Sequence, residues 1–274
     1  MNEKYGRLLR ILRSFDRGAV VAFSGGVDST LLLVAAAEAL PGRVVAALAR
    51  SPSLPSRDLA DAFSVAERLG IELVEVETCE IEDPAYSANP PDRCYHCKRH
   101  LFSSLIRLAG ERGYGQVVEG SNLDDSDDYR PGRRAIGELA VRSPLSEAGL
   151  TKAHNRELLR SRGFPAWEKP AQACLASRVP YGQEITAGRL ARIDAAEQSL
   201  RSLGFRCVRV RDFGHLAVVE VGPDELELLF ANSARAEVLR RLTAAGWRSV
   251  ALDARGYRTG SLNAGLPAAP HDDP

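Results

Sequence analysis

Apolar positions along this chain recur in two alternating rhythms. Residues 4–15 place apolar side chains every three or four positions, the period of a helix with one buried face. Residues 19–23 form an uninterrupted apolar run of strand length, and a helix is predicted over 29–40. The run 44–48 predicts the next strand, 57–69 a helix ending at Gly70, and 71–76 a further strand. Short apolar runs alternating with helical periods predict a parallel sheet covered by helices. Beyond a polar, proline-rich stretch, 96–109 reads as a helix and 116–119 as a short strand, with Gly120 immediately after it. Open α/β sheets bind their ligands where loops leave that carboxyl edge.

The rhythm changes after about residue 140. A helix over 151–162 is capped by Thr151, and an irregular segment follows with Pro165, Pro170, Cys174, Pro180 and Gly182. A long helix over 185–203 precedes strands at 206–211 and 216–221, a helical turn begun by Pro223, a helix over 233–244 and a strand at 249–252. The predicted fold class is therefore α/β, with a second, smaller α+β domain. We expect the first domain over 1–170, the second over 171–260, and a flexible tail over 261–274, whose LPAAPHDDP composition gives little to bury. No internal repeat is visible.

Composition narrows the picture. The 274 residues are 45% hydrophobic and 26% charged, as in ordinary globular proteins. Lysine plus arginine equals aspartate plus glutamate at 36 each, so no global field advertises a nucleic-acid partner. No stretch approaches membrane-spanning length, and the expected location is the cytoplasm. Five cysteines, an odd count in a chain large enough to fold without disulfides, direct attention to metal or thiol chemistry.

The most specific local pattern is Ser24-Gly25-Gly26-Val27-Asp28-Ser29, directly after the first apolar run. A strand, a glycine-rich turn and a helix would gather backbone N–H groups around one concave point, which suits phosphate or pyrophosphate. Ser24 and Ser29 add hydroxyl donors, and Asp28 is placed to cap the helix or hold a metal ion. The loop lacks the lysine of GxxxxGK[ST] and is not GxGxxG either. A tight structural turn is the alternative.

Cys94-Tyr95-His96-Cys97 is a CxxC pair just before a predicted helix, suited to zinc, an iron–sulfur cluster or disulfide exchange. Two thiolates do not complete a structural zinc site; His96, His100 and Cys174 are candidate partners. Cys79, Cys207 and Trp167 read as packing. The segment 119–135 concentrates Gly120, Asn122, Asp124, Asp125, Arg130, Arg133 and Arg134. Asn122 suits a base or nucleotide, Asp124 or Asp125 magnesium, and the arginines phosphate or carboxylate; a solvated turn with local pairing is equally consistent. Ser177 and Arg178 extend the basic set, and Arg209 and Arg211 share one strand face, suited to a phosphate or simply to solvent. Glu197, on a helix, carries no signal by itself.

SGGVDS resembles the pyrophosphate loop of the ATP pyrophosphatase superfamily, whose members adenylate a carbonyl or carboxyl oxygen. Together with RCYHCK, EGSNLDDSDDYRPGRRA, PAWEKPAQACLASRVPYG and RVRDFGHLAVVEV, it resembles more narrowly the LarE-type ATP-dependent sulfur transferases, over about residues 4–260. The resemblance implies a PP-loop domain that binds ATP through Ser24, Gly25, Gly26, Asp28, Ser29, Gly120 and Asn122, with Mg2+ at Asp124 and Asp125. It implies a substrate, pyridinium-3,5-biscarboxylic acid mononucleotide, held by Arg130, Ser177, Arg178, Arg209 and Arg211. Its carboxylates become thiocarboxylates in the biosynthesis of the nickel-pincer nucleotide used by lactate racemase. Cys174, Glu197 and Asp28 occupy catalytic positions.

Some members of that family give up the sulfur of their own cysteine, at the position of Cys174. Others hold a [4Fe-4S] cluster on three cysteines, and Cys94, Cys97 and Cys174 match this second type. A sulfide or a sulfur-donor protein, and a homo-oligomer such as a hexamer, are further implications. The competing expectations are another PP-loop activity, such as tRNA thiolation or amide formation, and a noncatalytic zinc or iron–sulfur scaffold.

Overall fold

In the computed structural model, residues 2–126, 131–169, 173–230 and 232–258 are described. The chain forms two compact units, one of residues 1–80 and 92–172, the other of 81–91 and 173–274.

The first unit begins with α1 (Asn2–Arg13), which buries Tyr5, Leu8, Leu9 and Leu12 and turns its arginines outward. β1 (Ala19–Ala22) is followed by α2 (Val27–Ala39), a helix apolar on nearly all sides and buried accordingly. β2 (Val44–Arg50), α3 (Ser56–Leu69) and β3 (Leu73–Glu77) continue the alternation. The chain then contributes α4 (Pro84–Ser87) to the second unit before returning with α5 (Arg93–Arg112) and β4 (Gln116–Val118). Short helices α6 (Gly132–Glu138) and α7 (Pro144–Glu147) lead to α8 (Lys152–Ser161), where Thr151 accepts a hydrogen bond from the His154 N–H as the N-cap.

The strands pair in parallel in the order β3-β2-β1-β4. Side chains alternate across the sheet as a two-residue period requires. Ala19, Val21, Ala46 and Leu48 pack against α1, α2 and α8 through Leu31, Leu32 and Leu158. Val20, Val45 and Ala47 pack on the other face against Phe102, Leu105 and Ala109 of α5. From β1 the chain winds outward through β2 to β3, then crosses to β4 on the opposite side of β1. This reversal of strand order opens a crevice at the carboxyl ends of β1 and β4, where such sheets bind ligands.

In the second unit α9 (Ala187–Arg201) covers a mixed sheet of β5 (Val208–Phe213), β6 (Leu216–Val221) and β7 (Ser249–Leu252), in that order. β5 and β6 form an antiparallel hairpin; α10 (Leu226–Phe230) and α11 (Asn232–Ala244) carry the chain to β7, parallel to β6. The stretch 81–91 is stitched into this unit by hydrogen bonds. Buried Asn89 donates from Nδ2 to the Val179 and Pro180 carbonyls at 3.2 and 2.7 Å, and Gly182 N–H donates to the Asn89 carbonyl at 2.9 Å. Among the described residues no helix is long and apolar enough to cross a membrane. Residues 261–274, read as a tail, lie outside the described residues.

Candidate active site

The glycine-rich loop occupies the crevice between β1 and β4. Gly25 sits at φ +68°, a conformation that a side chain disfavours, and its Cα faces the backbone of Asp58 and Ala62. Gly26 is the N-cap of α2, with no side chain to cap it. The first intrahelical bond runs from Thr30 N–H to the Gly26 carbonyl at 2.9 Å, so the N–H groups of Val27, Asp28 and Ser29 precede the helical ladder. Ser29 Oγ accepts from the Ser24 N–H at 3.3 Å and lies 3.1 Å from Ser24 Oγ, which fixes the curvature of the loop. Gly120, leaving β4, comes so close that a Cβ there would stand 2.9 Å from Ser29 N. A side chain at 120 would fill the very crevice that the strand order opens.

Asp28 does not cap α2, as one of the sequence readings allowed; it lies within the first turn and reaches sideways to α8. Lys152 Nζ donates to its Oδ2 and Asn155 Nδ2 to its Oδ1, each at 2.8 Å. Lys169 Nζ donates to the Gly25 carbonyl and pairs with Asp61, both at 2.7 Å. The loop lacks a lysine of its own, and the fold supplies two from distant positions. No local signal marked either one: their relation to the loop arises from the packing of α8 on α2.

Beyond Gly120 the acidic loop folds on itself. Asp125 Oδ2 accepts from Asn122 N–H at 3.0 Å, Asn122 Oδ1 from Asp124 N–H at 2.9 Å, and Asp124 Oδ2 from Lys152 N–H at 2.9 Å. Asn122 and Glu119 are buried there, Glu119 accepting from Ser121 and Ser143. Arg133 donates to the Asp125 carbonyl at 3.3 Å, and Arg134 lies over the Tyr95 ring. Arg130 falls outside the described residues. Cys94 and Cys97 lie inside the first turn of α5 rather than before the helix, so the pair shares one helical turn. The sequence reading began this helix three residues too late, at His96, because Pro90, Pro91 and Asp92 look like loop.

The second unit gathers Cys174, Ser177, Arg178, Glu197, Arg209 and Arg211 around one buried charge system. Arg178, 1% exposed, grips Glu197 with two bonds, Nε to Oε1 at 2.9 Å and Nη2 to Oε2 at 3.1 Å. Its Nη1 donates to the Ala173 and Cys174 carbonyls at 2.6 and 2.9 Å. Ser177 Oγ also donates to the Cys174 carbonyl, at 2.8 Å, so the exposed cysteine sits on a loop tied to a buried guanidinium. Arg201 Nη2 and Val210 N–H complete the shell of Glu197 at 2.8 and 3.1 Å. Arg211 bridges the Ser177 carbonyl at 2.8 Å and Glu220 at 2.7 Å.

Burial alone would raise the Glu197 carboxyl, but Arg178, Arg209 and Arg201 hold it below the ordinary carboxylate range. Burial likewise works against the Arg178 charge, and Glu197 more than offsets it. Arg209 is pushed down by burial and by the Arg178 charge beside it. Both Arg209 and Arg211 are 5% exposed, so this face of β5 is not a solvated one. The signal that could have revealed Glu197 was present: it occupies a position on the apolar stripe Leu190, Ile193, Leu200 of α9.

None of the five cysteines forms a disulfide. Among the described residues no three His, Cys, Asp or Glu side chains are grouped as a preformed metal site.

Residues 11–96 match the NAD synthase family. An uncharacterised protein of Synechocystis sp. is 42% identical over 96% of this chain and 98% of its own length. The pyridinium-3,5-bisthiocarboxylic acid mononucleotide synthase of Lactiplantibacillus plantarum is 37% identical over 97% of this chain and 96% of its own length. The NH3-dependent NAD+ synthetase of Pyrobaculum aerophilum is 42% identical over 83 residues, 30% of this chain and 31% of that protein.

Proposed function

Because the chain belongs to the family of pyridinium-3,5-bisthiocarboxylic acid mononucleotide synthases, we propose that it adenylates the carboxylates of pyridinium-3,5-biscarboxylic acid mononucleotide and converts them to thiocarboxylates. The observation that carries this reading is the built anion cradle at the β1–β4 crevice, with Lys152 and Lys169 on its rim, in a chain that shares nearly its whole length with that synthase.

A carboxylate is a poor electrophile, because direct displacement would expel oxide. Attack of its oxygen on the α-phosphorus of ATP expels pyrophosphate and leaves a mixed anhydride, from which a sulfur nucleophile displaces AMP. The N–H groups of the Ser24–Ser29 loop receive the pyrophosphate, with Gly120 keeping the crevice open and Asn122 holding the neighbouring loop against the nucleotide. Lys152 and Lys169 offset its charge. Asp28, Asp124 and Asp125 are the carboxylates available to magnesium carried in with ATP. Arg178, Arg209 and Arg211 anchor the substrate phosphate together with Ser177 and Arg130, and Glu197 acts through Arg178 as a positioning residue.

Cys94, Cys97 and Cys174 would hold a [4Fe-4S] cluster. Two thiols from one helical turn and a third from an exposed loop are the all-thiolate donor set such a cluster takes. When bound it would supply sulfur for the transfer. Cys174 as a direct sulfur donor is the other route, and intact mass separates the two, since sacrifice lowers the protein mass by the elements of hydrogen sulfide. A cytoplasmic homo-oligomer that receives sulfide or meets a sulfur-donor protein completes the proposal.

The NAD synthase match favours a second reading, in which ammonia displaces AMP to give an amide. Incubation with ATP, sulfide and the pyridinium dicarboxylate, followed by mass spectrometry, tests both. A mass gain of one sulfur for one oxygen supports the proposal; an amide formed with ammonium, without thiocarboxylate, overturns it.

A further inference from the structure

The exposed face of α1 carries a row of arginines that the proposed chemistry does not use. Lys4, Arg7, Arg10 and Arg13 lie on the helix and Arg17 in the turn after it, against only Glu3 and Asp16 over the same stretch. Arg7, Arg10, Arg13 and Arg17 are all exposed. Among the described residues Arg10, Arg13 and Arg17 make no hydrogen bond or ion pair, and Arg7 acts on Glu147 only through space. Most exposed arginines elsewhere are spent on partners, as in Arg112–Glu72, Arg206–Asp224 and Arg240–Glu237, whereas Arg99 and Arg248 stand singly. A chain with equal numbers of acids and bases has thus concentrated unneutralised charge on one helix.

The helix is a rigid platform. Tyr5, Leu8, Leu9 and Leu12 fix its other face in the core of the first unit, so ordering the arginines on binding requires no ordering of the backbone. At Arg17 the row runs into a cavity of about 300 Å³, lined also by Ser14, Gly115, Gln116 and Arg142. That is room for one side chain of a partner.

We propose that this face of α1 docks an acidic helical segment of a partner protein. Arginines three residues apart rise about 4.5 Å per step along a helix. Carboxylates three or four residues apart on a facing helix are spaced about 5–6 Å and can meet them as bidentate pairs. Single-stranded nucleic acid is the poorer fit. It uses aromatic faces for stacking beside the cations, and the aromatics here, Tyr5 and Phe15, are both buried at 7% exposure.

The test uses the full chain and a fluorescein-labelled helical peptide with glutamates at every third and fourth position, followed by anisotropy at low and high salt. The wild type should bind the peptide and lose most of that binding as salt is raised, because exposed charges are screened. The combined Arg7→Gln, Arg10→Gln, Arg13→Gln, Arg17→Gln variant should bind roughly tenfold or more weakly, with ATP–pyrophosphate exchange unchanged. A control variant with Arg107, Arg112, Arg240 and Arg255 changed to Gln removes the same charge from other exposed sites and should bind as the wild type does. Equal weakening in both variants, or no binding by the wild type, overturns the proposal. So does displacement of the peptide by a single-stranded RNA oligonucleotide at lower concentration than by unlabelled peptide.

Discussion

Replacing Glu197 by Gln preserves its volume and tests the buried charge system directly. The carboxylate accepts four hydrogen bonds: Arg178 Nε and Val210 N–H on Oε1, Arg178 Nη2 and Arg201 Nη2 on Oε2. A glutamine amide satisfies only one of these two sides. Its NH2 group then faces two donors, whichever way the amide is turned, and Arg178 loses the charge that compensates its burial. Two hydrogen bonds to a charged group at about 1.5–3 kcal/mol each give a loss of about 3–6 kcal/mol, which overlaps the range of about 3–5 kcal/mol found when one partner of a buried ion pair is removed. Native-state hydrogen exchange reads this locally, because the Val210 amide that Glu197 accepts should lose protection with the second unit.

The pH dependence gives an independent check. The folded Glu197 carboxyl lies below its unfolded value, so its stabilising contribution is present above about pH 4.3 and is lost as pH falls through the folded value. Asp212, held down by Arg192 and Arg189 against its burial, adds a slope of the same sign. The Gln variant should therefore show a shallower loss of stability below about pH 4.3, by up to about 1.4 kcal/mol per pH unit. A variant within about 1 kcal/mol of wild type, with an unchanged acid slope, would refute the account of this cluster.

Three further outcomes follow from the site. Gly120→Ala forces a Cβ to within 2.9 Å of Ser29 N and 3.2 Å of its Cα. The chain should lose about 1–3 kcal/mol of stability and most of its ATP–pyrophosphate exchange, and normal exchange would show that the crevice tolerates filling. Lys169→Met removes the cation bonded to the Gly25 carbonyl and should slow exchange roughly 100-fold; a change of threefold or less would remove Lys169 from the phosphate site. Cys94→Ser and Cys97→Ser, reconstituted anaerobically, should each lose most bound iron and sulfide, whereas Cys207→Ser keeps both. Equal iron in all variants would rule out the proposed ligand set.

The legibility of this chain follows the range of the forces involved. β1, α2 and β2 could be read because their apolar runs are buried on both faces and stop at SGG and at Pro52, both local signals. The glycine loop could be read because positive φ and close backbone approach demand glycine itself. Lys152 and Lys169 could not, because their positions depend on how α8 and the turn after it pack against α2, more than a hundred residues away. The α6 and α7 turns were missed because four to seven residues carry too little periodicity to register. Glu197 was marked by family resemblance alone, its own position being read as carrying no signal, for a different reason. A charge on an apolar stripe looks like an imperfection until three arginines appear around it.

The stitching of residues 81–91 into the second unit has a consequence for the newborn chain. Asn89 and Val179 are 90 residues apart, so at roughly 5–20 residues per second the partner of this buried amide leaves the ribosome about 5–20 s after Asn89 does. Throughout that interval the first unit is being completed around a segment that belongs elsewhere. The stretch has to stay unclaimed while β4, α6 and α8 assemble, and its polar, proline-rich composition, which supports no strand and no α-helix beyond the single turn of α4, suits it to waiting. Translation speed between codons 90 and 180 therefore becomes a variable of folding yield for this protein.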